Sequence, residues 1–188
     1  MPGEPVRMVV LGDSLTAGYG LKPSEAFPAQ LERALVGRGA NVKVANAGVS
    51  GDTASGGAAR LAWAIADGPH VVIVELGAND GLRAIEPDVT YQKLDEILTA
   101  LEGQGIAVLF TGMMMPPNFG DYGKRFAQTF ERLAKAHPGA VYYPFFLEGV
   151  ARDPKLSLPD GMHPNAEGVR HIVERIMPSV EKVLARAR

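Results

Sequence analysis

Short apolar runs alternate with longer helical patterns along this chain. The runs cover residues 6–11, 42–45, 71–76, 106–110 and 141–145, and four of the five lack polar–apolar alternation. Uninterrupted apolar strands suit a parallel sheet buried on both faces. Between the runs, apolar residues spaced three and four apart predict helices over 26–36, around 58–66, over 89–101 and over 126–136. A last helix carries Val169, Ile172, Val173, Ile176, Val180 and Val183 as one buried stripe. Pro178 lacks a backbone donor, so a kink or break is expected near Met177. Repeated strand–helix units imply an α/β fold with one parallel sheet, and no linker divides residues 1–188, so a single domain is expected.

Composition narrows the functional classes. A net charge of −2 with interspersed signs leaves no electrostatic footprint for nucleic acid or an anionic membrane. The absence of cysteine excludes thiol nucleophiles, disulfides and cysteine-ligated metals. No apolar run approaches the roughly 20 residues that span a bilayer. Met1-Pro2-Gly3-Glu4-Pro5 lacks the basic and apolar parts of a signal peptide, so the start is either natural or a trimmed form with an added Met.

Polar motifs follow the first three strands: Gly12-Asp13-Ser14, Asn46-Ala47-Gly48 and Gly77-Ala78-Asn79-Asp80. In a parallel sheet these strand ends share one edge, where open α/β sheets keep their ligand crevices. Ser14 either caps a helix or acts as a nucleophile, and a nucleophilic serine needs a base and an orienting acid. Asp160 and His163 stand three residues apart before Pro164, which suits the first position of a helix. They can supply both roles, or be a cap and a solvated imidazole. Gly48, Asn79 and the Ser14 amide are candidate donors to an oxyanion, or simply turn residues.

These four blocks, in this order, resemble those of the GDSL or SGNH hydrolases, and the resemblance covers nearly the whole chain. Asn46-Ala47-Gly48-Val49-Ser50-Gly51-Asp52-Thr53 and Glu75-Leu76-Gly77-Ala78-Asn79-Asp80-Gly81 are most similar to the bacterial arylesterase, acyl-thioesterase and lysophospholipase branch. The resemblance implies a three-layer α/β/α sandwich with a five-stranded parallel sheet of flavodoxin-like order. It implies Ser14 as nucleophile, His163 as base, Asp160 as its orienter, and Ser14, Gly48 and Asn79 as the oxyanion hole. The implied activity is hydrolysis of small-molecule esters or thioesters through an acyl-enzyme, without cofactor. An imidazole base must be neutral, and an ordinary one titrates near about 6.5, so activity is expected to rise through mildly acidic pH. A carbohydrate acetylesterase of the same family is the alternative. A flavodoxin-like module holding FMN or phosphate fits less well, because no glycine-rich phosphate loop is present and Asp13 opposes an anion. Branch members often carry export signals, which points to a periplasmic or secreted protein if a leader has been removed, and otherwise to the cytoplasm.

Met113 and Met114, with Leu82 and Phe119, either line an acyl pocket or mark a strand end entering the core before a rigid loop. Asp13 and Asp80 could join Asp160 and His163 around a metal, but acids in such loops more often bond backbone amides, so none is expected. Trp63 reads as packing, and His70, His137 and His171 as surface or loop residues.

Overall fold

Every apolar run contributes a strand to one sheet, and the central strands are buried on both of its faces. The computed structural model describes residues 3–187, so Met1 and Pro2 of the leader reading, and Arg188, lie outside the described residues. The strands are β1 (Val6–Gly12), β2 (Val42–Gly48), β3 (Val71–Glu75), β4 (Ala107–Thr111) and β5 (Val141–Tyr143). All pair in parallel in the order β2-β1-β3-β4-β5, which is the flavodoxin-like order expected. Every residue of β3 is buried, whereas β2, at one edge, alternates and is partly exposed.

The helices are α1 (Ser14–Ala17), α2 (Phe27–Gly37), α3 (Ala54–Ala59), α4 (Leu61–Ala64), α5 (Ala78–Leu82), α6 (Pro87–Gly103), α7 (Gly120–Ala136) and α8 (Ala166–Leu184). α2 and α8 pack together and against the strands, while α3, α6 and α7 form a second connected set, giving three layers. Phe27 and Phe146 meet edge to face in the core, as do Phe126 and Phe130. Among the described residues, no helix is long and apolar enough to cross a membrane.

Several local expectations change. Helix α8 runs through Pro178 unbroken. Buried Val173, Ile176 and Met177 before the proline, and Val180 and Val183 after it, hold both halves on the same core. The stretch around 58–66 begins earlier, at Ala54, where the Thr53 hydroxyl accepts the Gly56 N–H, and it divides at Arg60 into two short helices. Trp63 does not pack. It is 74 % exposed, because the short α4 turns Leu61 and Ile65 inward instead.

His137 is not a surface residue either. It is 6 % exposed and ends α7, with Nδ1 bonded to Glu102 at 2.9 Å and Nε2 to Asp95 at 3.0 Å, both on α6. Burial alone would depress its pKa, but the bonds to Glu102 and Asp95 win and raise it. A raised folded pKa means that the clamp stabilises fully below the unfolded value and fades as pH climbs through the folded one. The Tm gap between the parent and His137→Gln is therefore expected to be widest below about pH 6.5 and to narrow in alkali. A gap independent of pH would refute the charged clamp. His70 also has a fixed partner, its Nδ1 accepting the Arg7 N–H at 3.0 Å. His171 is partly exposed on α8, 3.5 Å from Glu167.

Candidate active site

The sheet aligns the first three motifs before any side chain is considered. Gly12 at the end of β1 pairs with Gly48 of β2 on one side and Glu75 of β3 on the other. Asp13 then caps α1 by accepting the Leu15 N–H at 2.9 Å, so Ser14 opens that helix at the carboxyl edge of the sheet. The Ser14 amide, as a first helical N–H, has no intrahelical acceptor.

The fourth motif arrives from the other end of the chain on a pinned turn. Leu158 N–H donates to the His163 carbonyl at 2.7 Å and Asn165 N–H to the Leu156 carbonyl at 2.9 Å, forming a small antiparallel clasp. Pro164 sits within this clasp, bridged to Ser157, rather than opening the helix as expected. The cap of α8 is Asn165, whose side chain accepts the Gly168 N–H. Gly161 takes the left-handed conformation the turn requires, at φ 69°.

Within that turn Asp160 accepts three bonds. Oδ1 takes the N–H of Met162 at 2.9 Å and of His163 at 3.0 Å, and Oδ2 meets His163 Nδ1 at 2.6 Å. The two backbone amides, and then the imidazole, hold its pKa down to about 2. An ionised carboxylate can only accept, so Nδ1 carries the proton and Nε2 presents a lone pair. Ser14 Oγ lies 2.9 Å from that Nε2. The structure thus brings Ser14, His163 and Asp160 into one hydrogen-bonded line. The Tyr19 ring lies 4.5 Å from the imidazole, covering it from one side.

The three expected oxyanion donors are arranged unequally. Ser14 and Asn79 both face the adjoining groove, whereas Gly48 is not in its wall. Asn79 Nδ2 donates to the Asp52 carbonyl at 2.9 Å and to Asp13 Oδ2 at 3.3 Å, which fixes its orientation. The Gly48 N–H donates to the exposed Asn46 Oδ1 at 2.9 Å. Gly48 also allows close packing, since a Cβ there would sit 2.3 Å from the Ala17 nitrogen.

The groove has a volume of about 430 Å³ and opens beside Ser14 and His163. Leu82, Met113 and Met114 line it, as in the pocket reading of the sequence, and Met115, Leu147 and Arg152 join them. Phe119 does not; it packs on Tyr122, in a turn that carries it away from the groove. Asp13 and Asp80 bond backbone amides, Asp80 Oδ2 taking the Ala54 N–H at 2.9 Å.

Arg60 belongs to none of the sequence motifs, and Glu75 enters only as the first residue of the block 75–81. The Arg60 guanidinium binds Asp52 at 2.6 Å, the Ala47 carbonyl at 2.8 Å and the Gly12 carbonyl at 2.9 Å, tying together two strand ends and a loop. Glu75 is fully buried at the end of β3. A charged residue in the apolar run Val71-Val72-Ile73-Val74-Glu75-Leu76 was the available signal.

Similarity to known proteins agrees with this geometry. The chain is 36 % identical over 181 residues to an esterase TesA of Pseudomonas aeruginosa, covering 94 % of this chain and 89 % of that one. It is 37 % identical to an arylesterase of Vibrio mimicus, covering 95 % and 90 % respectively. A crystal structure of TesA superposes with a TM-score of 0.90 at 35 % identity, covering 94 % of this chain and 99 % of the other. The sequence profile of the GDSL-like lipase/acylhydrolase family matches residues 10–171, and the chain belongs to that family.

Proposed function

We propose that this protein is a serine esterase that hydrolyses carboxylic esters or thioesters through an acyl-enzyme on Ser14. The supporting observation is the line Ser14 Oγ, His163 Nε2 and Asp160 Oδ2, with contacts of 2.9 and 2.6 Å. As the Ser14 oxygen attacks the carbonyl carbon, its proton passes to His163 Nε2. Asp160, already anionic, stabilises the imidazolium. The oxyanion takes hydrogen bonds from the Ser14 amide and from Asn79 Nδ2, one of whose two N–H groups first leaves the Asp52 carbonyl while the other stays on Asp13. The Gly48 amide can join them by exchanging its bond to the solvent-exposed Asn46 oxygen. Collapse expels the alcohol or thiol, which receives the proton from His163. Water then repeats the sequence on the acyl-enzyme and frees the acid.

A fluorophosphonate probe tests this reading directly. Label is expected on the peptide containing Ser14, and none on Ser14→Ala. Label on another residue, or undiminished ester turnover by Ser14→Ala, would overturn the proposal.

The groove favours acyl chains longer than acetyl. Leu82, Met113, Met114, Met115 and Leu147 give it apolar walls and flexible thioethers that adapt to a chain. Each buried methylene is worth about 0.8 kcal/mol, so kcat/KM is expected to rise about two- to fourfold per added CH₂ from p-nitrophenyl acetate upward, then level off. A series that peaks at acetate would favour the carbohydrate acetylesterase reading instead.

A further inference from the structure

Beneath the serine lies a pair of carboxyl groups that the acyl-transfer steps leave unused. Glu75 and Asp13 are both fully buried, and Glu75 is the register partner of Gly12, the residue before Asp13, on the neighbouring strand. The Thr16 hydroxyl donates to Glu75 Oε2 at 2.7 Å, while Oε1 has no partner. Among the described residues, no Lys or Arg side chain is hydrogen-bonded to either carboxyl group. Arg60, the guanidinium nearest in the chain of contacts, spends its donors on Asp52 and on the carbonyls of Ala47 and Gly12. The other charged groups whose fields reach Asp13 are Asp80 of α5, which is itself an acid, and His163 of the catalytic turn.

Two adjacent buried carboxylates without a cation cannot both be ionised. A proton on Glu75 resolves both problems: it removes one charge, and it turns an orphaned acceptor into a donor beside Asp13. We infer that Glu75 is a positioning residue, a neutral carboxylic acid whose proton is donated to Asp13 so that Asp13 can hold the Asn79 amide and the start of α1 in place. Burial, and then the Asp13 charge, push the Glu75 carboxyl well above the usual range. Asp13, raised by burial to only about 6, is the partner that ionises. Its two oxygens then serve the Leu15 N–H at 2.9 Å and Asn79 Nδ2 at 3.3 Å. Glu75 never touches substrate; it acts through Asp13 on an oxyanion donor. This inference rests on the esterase reading above.

It carries a pH signature. Loss of the shared proton in alkali leaves two buried anions, loosens the Asp13–Asn79 contact and lowers kcat. Glu75→Ala is expected to lower kcat about ten- to hundredfold with little change in KM. Glu75→Gln, which accepts from Thr16 and donates to Asp13 without titrating, is expected to rescue that loss and to abolish the alkaline fall. An alkaline limb unchanged in Glu75→Gln, or full kcat in Glu75→Ala, would overturn the inference. Should the alanine variant not fold, infrared spectroscopy of the parent decides. A carbonyl band of a protonated carboxylic acid is expected at neutral pH and is expected to vanish in Glu75→Gln; a parent without that band overturns the proposal. A parent that neither labels nor hydrolyses esters would instead count against the esterase reading, which separates the two failures.

Discussion

Ser14→Ala and His163→Ala are each expected to lower kcat by about a millionfold, and the double variant to be no worse than either. The expectation follows from the proposed mechanism, in which the two side chains act as one unit. A neutral serine hydroxyl attacks poorly unless its proton leaves as the bond forms, and the acceptor lies 2.9 Å away at His163 Nε2. Without either partner the other has nothing to do, so the losses do not add. Asp160→Asn is expected to cost about ten-thousandfold. An amide there can donate to Nδ1, which drives the imidazole proton to Nε2 and removes the base. Asp160 itself, held at about 2 chiefly by the amides of His163 and Met162, stays ionised at any ordinary working pH. Steady-state kinetics with an active-site titrant would check all three variants, with circular dichroism to show that each folds. Losses for Ser14→Ala and His163→Ala that multiply in the double variant would contradict a single hydrogen-bonded unit.

Asn79→Ala is expected to lower kcat about a hundred- to a thousandfold while leaving KM nearly unchanged. The amide is preorganised: it is fixed by the Asp52 carbonyl and Asp13, and faces the groove beside Ser14. Gly77, at φ 118°, makes the sharp turn that starts α5 and delivers Asn79 to the groove. A Cβ at Gly77 would meet the Phe130 ring at 2.8 Å, so a larger residue is expected to displace Asn79 as well. A donor that stabilises charge only after attack affects kcat rather than ground-state binding. Were the loss in Asn79→Ala to fall on KM alone, its role would be substrate positioning, and the oxyanion assignment would fail.

The depth to which the sequence could be read differs from element to element. β3 was legible because a run of apolar residues can be satisfied only where both faces of a strand are covered. The short α1 and α5 were not, since four or five residues at a strand end carry no period to detect. Trp63 and His137 depart from expectation for opposite reasons. A large ring reads as core and an isolated imidazole as a surface or loop residue; His137 does lie just past α7, yet it is buried, because burial depends on which way a short helix turns and on what faces it. Phe119 was placed in the groove by its closeness to the methionine run, but the intervening prolines turn the chain away. Pro178 weakens a helix locally, yet the buried stripe on either side holds it straight enough to continue.

By itself the chain determined its parallel sheet and the row of polar motifs at one edge, because hydrophobic period records burial and strand direction fixes which ends coincide; its three layers were implied by the family resemblance. Its motif residues also named Ser14, Asp160, His163 and Asn79. Only the tertiary structure decided that Ser14 and His163, 149 positions apart, meet, with Nε2 rather than Nδ1 toward the hydroxyl. It alone showed the Gly48 amide bonded to Asn46, Arg60 lashing the strand ends together, and an acid pair beneath the serine. Those are facts of distance and of exclusion from water, and a one-dimensional pattern of residue types carries neither.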